Sequence, residues 1–183
     1  MREAFDEVGK SVAEAIGGLS IGETQTHPDG DVNCWCVQQV IEHLLLTYQS
    51  TAGVLEDRLE KGRPTQAPIT PEQEARWQAT IARGRFPEGG KAPERVRPGQ
   101  LQMGALSGGE LAERFQSGIA KVDSLLNECE EKFGAQRMAS HFAFGPLSVD
   151  QWRQFHTVHA RHHLGQIRRI LASIQGNEQG CPS

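Results

Sequence analysis

Apolar side chains recur every three to four residues along four separate stretches of this chain, which is the spacing of one face of an α-helix. The second stretch includes Val37, Ile41, Leu44 and Leu45, and its apolar face is wide, as expected of a helix that touches two neighbours. No stretch shows a convincing period-two alternation, so no strand is expected. The pattern predicts four long helices, at residues 2–16, 31–61, 107–133 and 148–175.

Residues at the helix ends support these boundaries. Asp31 is a residue type favoured at the N-cap, and it stands directly before the second stretch. Ser107 and Glu110 have the spacing of a capping box, in which two side chains satisfy the first free backbone amides of a helix. Ser148 and Gln151 repeat that spacing before the last stretch. These signals predict an all-α protein, a four-helix bundle in a single domain spanning residues 1–183.

A long connection, residues 62–106, joins the second and third predicted helices and contains six of the nine prolines. Within it, Thr70, Pro71 and Gln73 supply a cap, a first-turn proline and a capping-box partner. They predict a short helix over 71–83. A connection of this length in a compact domain is often functional, so we expect the crossover to contribute to a site or to pack on one end of the bundle.

Composition narrows the function classes. The chain has 183 residues and a formal net charge of −4, which argues against a protein that binds the phosphate backbone of nucleic acid. The N-terminus is charged from its second residue, and no apolar run approaches the roughly 20 residues that span a bilayer. We therefore expect a cytoplasmic protein with no membrane partner. Its cysteines lack zinc-ribbon spacing and are expected to be free thiols: Cys34, Cys36, Cys129 and Cys181.

Four of the seven histidines lie within eight residues of the last predicted helix. His159 and His163 are four residues apart and continue its apolar face, so their rings can converge on one metal ion. His43, on the apolar second helix, is placed to supply a third ligand. His156 could join the pair from one turn earlier, and His162 is expected to face a neighbouring helix or solvent. The alternative is that the inward-facing rings are hydrogen-bonded core residues.

Two segments carry a resemblance to a known family: WCVQQVIEHL at residues 35–44, and HARHHLGQIRRI at 159–170. Together with the GRFPEGGKAPERVRP loop and the run HFAFGPLSVDQWRQFHTVHARHHLGQI, they resemble the DinB/YfiT-like superfamily, most closely a subfamily of unknown function. The resemblance implies a four-helix bundle that holds a divalent metal, nickel or zinc, through His43, His159 and His163. It also matches Gln166 to a glutamine that we expect to orient His163.

The resemblance leaves three functions open. The leading hypothesis is a metal-dependent enzyme with thiol-dependent, S-transferase-like chemistry on a small-molecule substrate. Its low-molecular-weight thiol cofactor would be anionic and would be held by basic residues of the crossover, namely Arg83, Arg85 and Arg97. The second hypothesis is a metal-dependent hydrolase, with His156 or Glu42 as general base, although helical geometry predicts that Glu42 faces solvent or another subunit.

The third hypothesis is a non-catalytic module that stores or senses metal, or that forms a homodimer. Bundles of this type often pair through helix faces. Two aromatic side chains without an assigned role, Tyr48 and Trp77, are candidates for such an interface.

Overall fold

A computed structural model describes residues 2–86 and 91–174. In these ranges the chain forms six α-helices, one two-stranded sheet and short 3₁₀ turns at Pro28–Gly30, Ile81–Arg83 and Glu94–Val96. The helices are α1 (Arg2–Ile16), α2 (Ile21–Gln25), α3 (Val37–Lys61), α4 (Pro71–Ala79), α5 (Gly108–Phe133) and α6 (Val149–Ile174). The strands are β1 (Ala139–His141) and β2 (Gly145–Leu147). None of the helices in the described ranges is both long and apolar enough to cross a membrane.

The four long helices pack on one another along their apolar faces. Helix α5 contacts both α1 and α3, and α6 contacts α1, α3 and α5. Their buried side chains belong to one connected hydrophobic cluster, to which α4 adds Trp77 and the turn after it adds Ile81. The predicted helical class is therefore confirmed. The prediction of no strand is wrong, because the segment before α6 forms a small antiparallel hairpin.

The first helix has the predicted bounds, whereas the second long helix begins six residues later than predicted. Asp31 is not its N-cap. The Asp31 carboxylate instead accepts the backbone N–H of Asn33, at 2.9 Å, in a local turn. Helix α3 begins after Cys36, whose N–H donates to the Gln39 side chain. It ends at Lys61 and is capped by Gly62, which has a left-handed conformation.

The connection between α3 and α5 contains the predicted short helix in two pieces. Thr70 caps α4 and Gln73 completes the capping box, as predicted. The α-helix ends at Ala79 rather than at 83, because Thr80 has a non-helical backbone and its hydroxyl donates to the Arg76 carbonyl oxygen at 2.7 Å. A separate 3₁₀ turn follows over Ile81–Arg83.

The hairpin joins this connection to the start of α6. Its edge is extended by Thr65, whose N–H donates to the Met138 carbonyl oxygen at 2.9 Å. Gly145 has a φ of +69°, and a β-carbon there would overlap the Gln73 side chain of α4. The hairpin then leads directly to Ser148, which caps α6 with Gln151 as predicted.

A buried polar network fastens α5 to α6. Arg153 is only 3% exposed, and its guanidinium donates to Asp123 at 3.2 Å, to Glu130 at 3.2 Å and to Asn127 at 2.6 Å. All three acceptors lie on α5, so one α6 side chain contacts nearly two turns of the facing helix. Such a network is costly to leave half-satisfied, and here the guanidinium has three partners.

Two sequence-based predictions about side chains are wrong. Cys34 is disulfide-bonded, whereas Cys36 and Cys129 are free and buried as predicted, and Cys181 lies outside the described residues. Tyr48 and Trp77 are 1% and 4% exposed, so both belong to the core and neither offers an aromatic surface for an interface.

Candidate metal centre

Three buried histidines from two helices point their Nε2 atoms at one another. The Nε2 atom of His159, on α6, lies 3.1 Å from Nε2 of His43 on α3 and 3.0 Å from Nε2 of His163 one turn along α6. One nitrogen from each ring lies within 4.8 Å of the other two. The side chains are between 4% and 6% exposed. The structure thus brings together the three histidines that the sequence singled out as ligands.

Hydrogen bonds on the far side of two rings select their tautomers. His43 Nδ1 donates to the Val96 carbonyl oxygen at 2.7 Å, and His163 Nδ1 donates to Gln166 Oε1 at 2.8 Å. Because both oxygens are acceptors, each ring carries its hydrogen on Nδ1 and keeps the Nε2 lone pair free. A metal-ligating imidazole usually has this arrangement, with its second nitrogen bonded to an oxygen.

His159 completes the group, but protein atoms alone do not satisfy the hydrogen-bonding capacity of all its ring nitrogens. Its Nε2 faces the two lone pairs, and one hydrogen on that nitrogen can serve only one of them well. Its Nδ1 is buried with no partner among the described residues. A shared cation would satisfy all three lone pairs. Two ligands at about 2.0–2.1 Å from one ion lie roughly 3 Å apart for the usual coordination angles, so the donor set fits a transition-metal ion.

Burial keeps the three rings neutral. It lowers the pKa of His43, and it lowers the pKa of His163 to about 3, with His43 adding to the effect. Burial together with the neighbouring His163 and His43 holds the pKa of His159 well below its usual value. Neutral imidazole is the form that binds a metal ion, so no proton has to be displaced near pH 7.

Aromatic rings surround the group. Phe155 stacks on His159 with the ring centroids 5.6 Å apart, and Phe86 lies 4.8 Å from the same imidazole. Trp35 lies 5.3 Å from His43. Trp35 and Phe86 are only partly buried, whereas Phe155 belongs to the core. The nitrogens are therefore enclosed by apolar walls, which strengthen electrostatic interactions at the site by excluding water.

Neither of the two candidates for a general base, His156 and Glu42, belongs to the three-histidine group. His156 is fully buried one turn before His159 and stacks on Phe5 and Trp152, and it is not part of the three-histidine group. Glu42 is 6% exposed, so the prediction that it faces solvent or another subunit is wrong. Its carboxylate instead holds the crossover through two backbone amides.

The basic candidates lie on the crossover surface. Arg83, Arg85 and Arg97 are exposed, and the Arg97 side chain donates to the Ala92 carbonyl oxygen at 3.1 Å. Arg85 precedes Phe86 in the chain, so the segment that carries it passes beside His159. Arg97 likewise directly follows Val96, whose carbonyl oxygen bonds to His43, so two of the three arginines adjoin a residue that contacts one of the histidines.

Neither His162 nor His141 belongs to the three-histidine group. His162 is partly exposed and packs edge-on against His163, with centroids 5.0 Å apart, as the sequence predicted for a ring turned away from the ligand pair. His141 ends β1, where its Nδ1 accepts the Ala143 N–H at 3.1 Å. Burial, with a smaller effect from Arg95, lowers the pKa of His141 to about 3.

Sequence reasoning gave no role to Phe86 or Val96, and it treated Trp35 only as part of a motif. For Phe86 and Trp35 a signal existed, since each is a large aromatic residue within a segment that carries the family resemblance. For Val96 no signal existed, because its contribution is a backbone carbonyl group that any residue type would supply.

Fold and site define a helical protein with an internal group of three imidazoles. The chain belongs to the DinB superfamily, whose family model matches residues 4–167. It is also similar to an uncharacterised protein, YuaE, of Bacillus subtilis strain 168, with 22% identity over 171 residues that cover 93% of this chain and 97% of YuaE. No solved structure gives a significant match to the chain.

Proposed function

We propose that this protein binds one divalent transition-metal ion, nickel or zinc, through the Nε2 atoms of His43, His159 and His163. The observation that carries the proposal is that the Nε2 lone pairs of His43 and His163 both point at Nε2 of His159, from 3.1 Å and 3.0 Å. Membership of the DinB superfamily and the neutral state of the rings support it. Three neutral ligands leave a coordination position for a further molecule, which is the pattern of catalytic sites.

The architecture that we propose is a single-domain four-helix bundle made by α1, α3, α5 and α6. The support is that these helices pack pairwise and share one connected core. In such a bundle, side chains on facing helices build internal sites, and here α3 and α6 contribute the histidines.

The chemistry that we propose is thiol-dependent, S-transferase-like group transfer on a small-molecule electrophile. A bound divalent ion supplies Lewis-acid chemistry that lowers the pKa of a thiol or a water. The thiol sulfur forms a bond to the electrophilic carbon, and the leaving group departs with the electrons of the broken bond and the thiol proton. Trp35, Phe86 and Phe155 keep the surroundings apolar, and Arg85 offers a positive charge to an anionic thiol.

Two other functions share the same metal site. Metal-dependent hydrolysis would use water in place of the thiol and would not depend on added thiol. A non-catalytic module would bind metal, or would form a homodimer, without turning over any substrate. The assays below separate these functions because each predicts a different response to thiol, chelator and protein concentration.

The deciding measurement is elemental analysis of protein purified without a histidine tag. Wild type should contain about one equivalent of nickel or zinc, and H163A should lose it. H162A is the matched control, because His162 directly precedes His163 on the same helix and lies outside the three-histidine group. Wild type that stays metal-free after incubation with zinc and also after incubation with nickel would overturn the metal proposal.

The reaction class is tested next on metal-loaded wild type. Electrophile and ester panels, each run with and without a low-molecular-weight thiol, should give turnover that requires the thiol and stops on full chelation. Turnover without thiol would favour the hydrolase. Tight metal binding with no turnover, and a dimeric mass in light scattering, would favour the non-catalytic module.

A further inference from the structure

Glu42 and His43, neighbours on α3, both bond to the crossover that follows this helix. Glu42 Oε1 accepts two backbone N–H groups, from Gly99 and from Leu101, each at 2.8 Å. The Glu42 side chain is nearly buried, at 6% exposure. A charged acceptor with two amide donors is among the stronger hydrogen-bonding arrangements in proteins. The segment around residues 99–101 is therefore held firmly on the surface of α3.

This anchored segment begins three residues after the carbonyl group that orients His43. Val96 closes a 3₁₀ turn, Glu94–Val96, and its carbonyl oxygen accepts from His43 Nδ1 at 2.7 Å. Only Arg97 and Pro98 separate Val96 from Gly99, and the proline ring restricts the backbone between them. The position of the Val96 carbonyl group is thus set on one side by the turn and on the other by Glu42.

We infer that Glu42 is a positioning residue for the metal centre, acting through the Val96 carbonyl group on the tautomer and orientation of His43. The inference rests on the proposed function, because it assigns Glu42 a role in the metal site proposed above. The Val96 oxygen accepts only from a protonated Nδ1, so it keeps the Nε2 lone pair of His43 directed at His159. Without that oxygen, the His43 ring could take the other tautomer, whose Nε2 hydrogen blocks a metal.

The chain offers a matched control at the other end of the same connection. Gln38, one turn before Glu42 on α3, accepts the Leu106 N–H at 2.9 Å and donates to the Gly104 carbonyl oxygen at 2.6 Å. It therefore anchors the crossover through two backbone groups, as Glu42 does. Its bonds lie beyond the segment that contacts His43, so Q38A loosens the crossover without removing the Glu42 contacts.

The experiment measures zinc affinity by competition with a chromogenic chelator for wild type, E42A, E42D, E42Q and Q38A. E42A and E42D should raise the zinc dissociation constant about tenfold, the low end for residues that orient a ligand. E42D keeps the charge but shortens the reach. E42Q keeps an oxygen at the same place, so it should recover most of the affinity. Q38A should stay within about twofold of wild type, since its bonds to Gly104 and Leu106 lie beyond the segment that contacts His43.

A second readout needs no metal. In ¹⁵N NMR spectra of metal-free wild type, His43 should be the Nδ1–H tautomer, and the Gly99 and Leu101 amides should exchange slowly with solvent. E42A should give a mixture of His43 tautomers and fast exchange at both amides, whereas Q38A should keep the single tautomer. If E42A does not fold, E42D and E42Q provide the same comparison.

The outcomes separate this inference from the proposed function. If wild type binds zinc and E42D binds it equally well, Glu42 does not position the site. Equal weakening by E42D and Q38A would mean that both residues act only by stabilising the crossover, which also overturns the inference. A wild type that binds neither zinc nor nickel overturns the proposed function instead, while the tautomer of His43 still reports whether Glu42 positions the ring.

Discussion

Gly108 and Ile16 approach so closely that a β-carbon at position 108 would overlap the Ile16 carbonyl oxygen. This approach joins the first turn of α5 to the end of α1, where the Gly108 N–H also donates to the Leu19 carbonyl oxygen at 2.8 Å. The junction therefore requires glycine for space, since Gly108 does not have a positive φ.

We expect G108A to lower the free energy of unfolding by about 1–3 kcal/mol, the usual range for overpacking. G109A is the matched control, because a β-carbon at position 109 would meet its nearest atom at an ordinary 3.6 Å. Urea denaturation of both variants checks this. Equal stability of the two variants would show that the α1–α5 junction relaxes freely.

Gln166 should govern metal affinity without binding the metal. Its side chain accepts from His163 Nδ1 at 2.8 Å, so removal of the amide releases the ring orientation. We expect Q166A to raise the zinc dissociation constant about 10–100-fold, as for other partners of ligating histidines. The control is Q154A on the same helix, whose side chain donates to the Ile81 carbonyl oxygen. Unchanged affinity in Q166A would contradict the prediction.

The buried His156 should make the metal-free protein sensitive to acid. Burial lowers its pKa in the folded state to about 3, whereas the unfolded chain has a pKa near 6.5. The stabilising contribution is thus complete above pH 6.5 and is lost as the pH falls toward 3, because the unfolded chain takes up a proton first. H156F should therefore gain about 3 kcal/mol over wild type on going from pH 7 to pH 4.

Chemical denaturation of both proteins in chelator at several pH values measures this gain. A change in packing would shift the free energy of unfolding of H156F equally at every pH. A difference between H156F and wild type that grows as the pH falls therefore reports the loss of the ionisable ring. Parallel pH profiles for H156F and wild type would contradict the prediction.

Arg153 should be the most costly polar side chain to remove. It is buried between α5 and α6, and R153A leaves the Asp123 carboxylate, 8% exposed, with the exposed Arg2 as its one remaining cationic partner among the described residues. We expect a loss of about 3 kcal/mol in the free energy of unfolding. E130A removes the solvent-exposed partner of Arg153 and should lose at most about 1 kcal/mol. Similar losses in R153A and E130A would contradict a buried network centred on Arg153.

Helix boundaries could be predicted where a cap and a hydrophobic stripe agree. Ser107 caps α5 and Ser148 caps α6 as expected, whereas Asp31 lies in a turn before α3 and does not cap that helix. Aspartate stabilises an isolated turn as readily as a helix start, and here it accepts the Asn33 N–H. The short α2 was overlooked although Ser20 and Glu23 form a capping box, because five residues cannot show a full hydrophobic stripe.

The site was predictable only as far as helical periodicity reaches. The four-residue spacing places His159 and His163 on one face of α6, and the structure brings them to within 3.0 Å. The same reasoning wrongly predicts an exposed Glu42. Helical periodicity shows which face of α3 the residue lies on, but it does not show that the crossover covers that face. The Val96 carbonyl group lies 53 residues from His43 in sequence and leaves no trace in residue type. Such contacts depend on tertiary structure.

The separation of the histidines along the chain has a kinetic consequence. His159 and His163 lie on adjacent turns of one helix, whereas His43 lies 116 residues before His159. The three rings meet only after α3 and α6 have docked, and we expect this contact to form late in folding because it closes a long loop. An ion held by all three would therefore stabilise the native state more than the transition state, and would slow unfolding while leaving the refolding rate nearly unchanged. Metal loading would then act mainly on the lifetime of the folded protein.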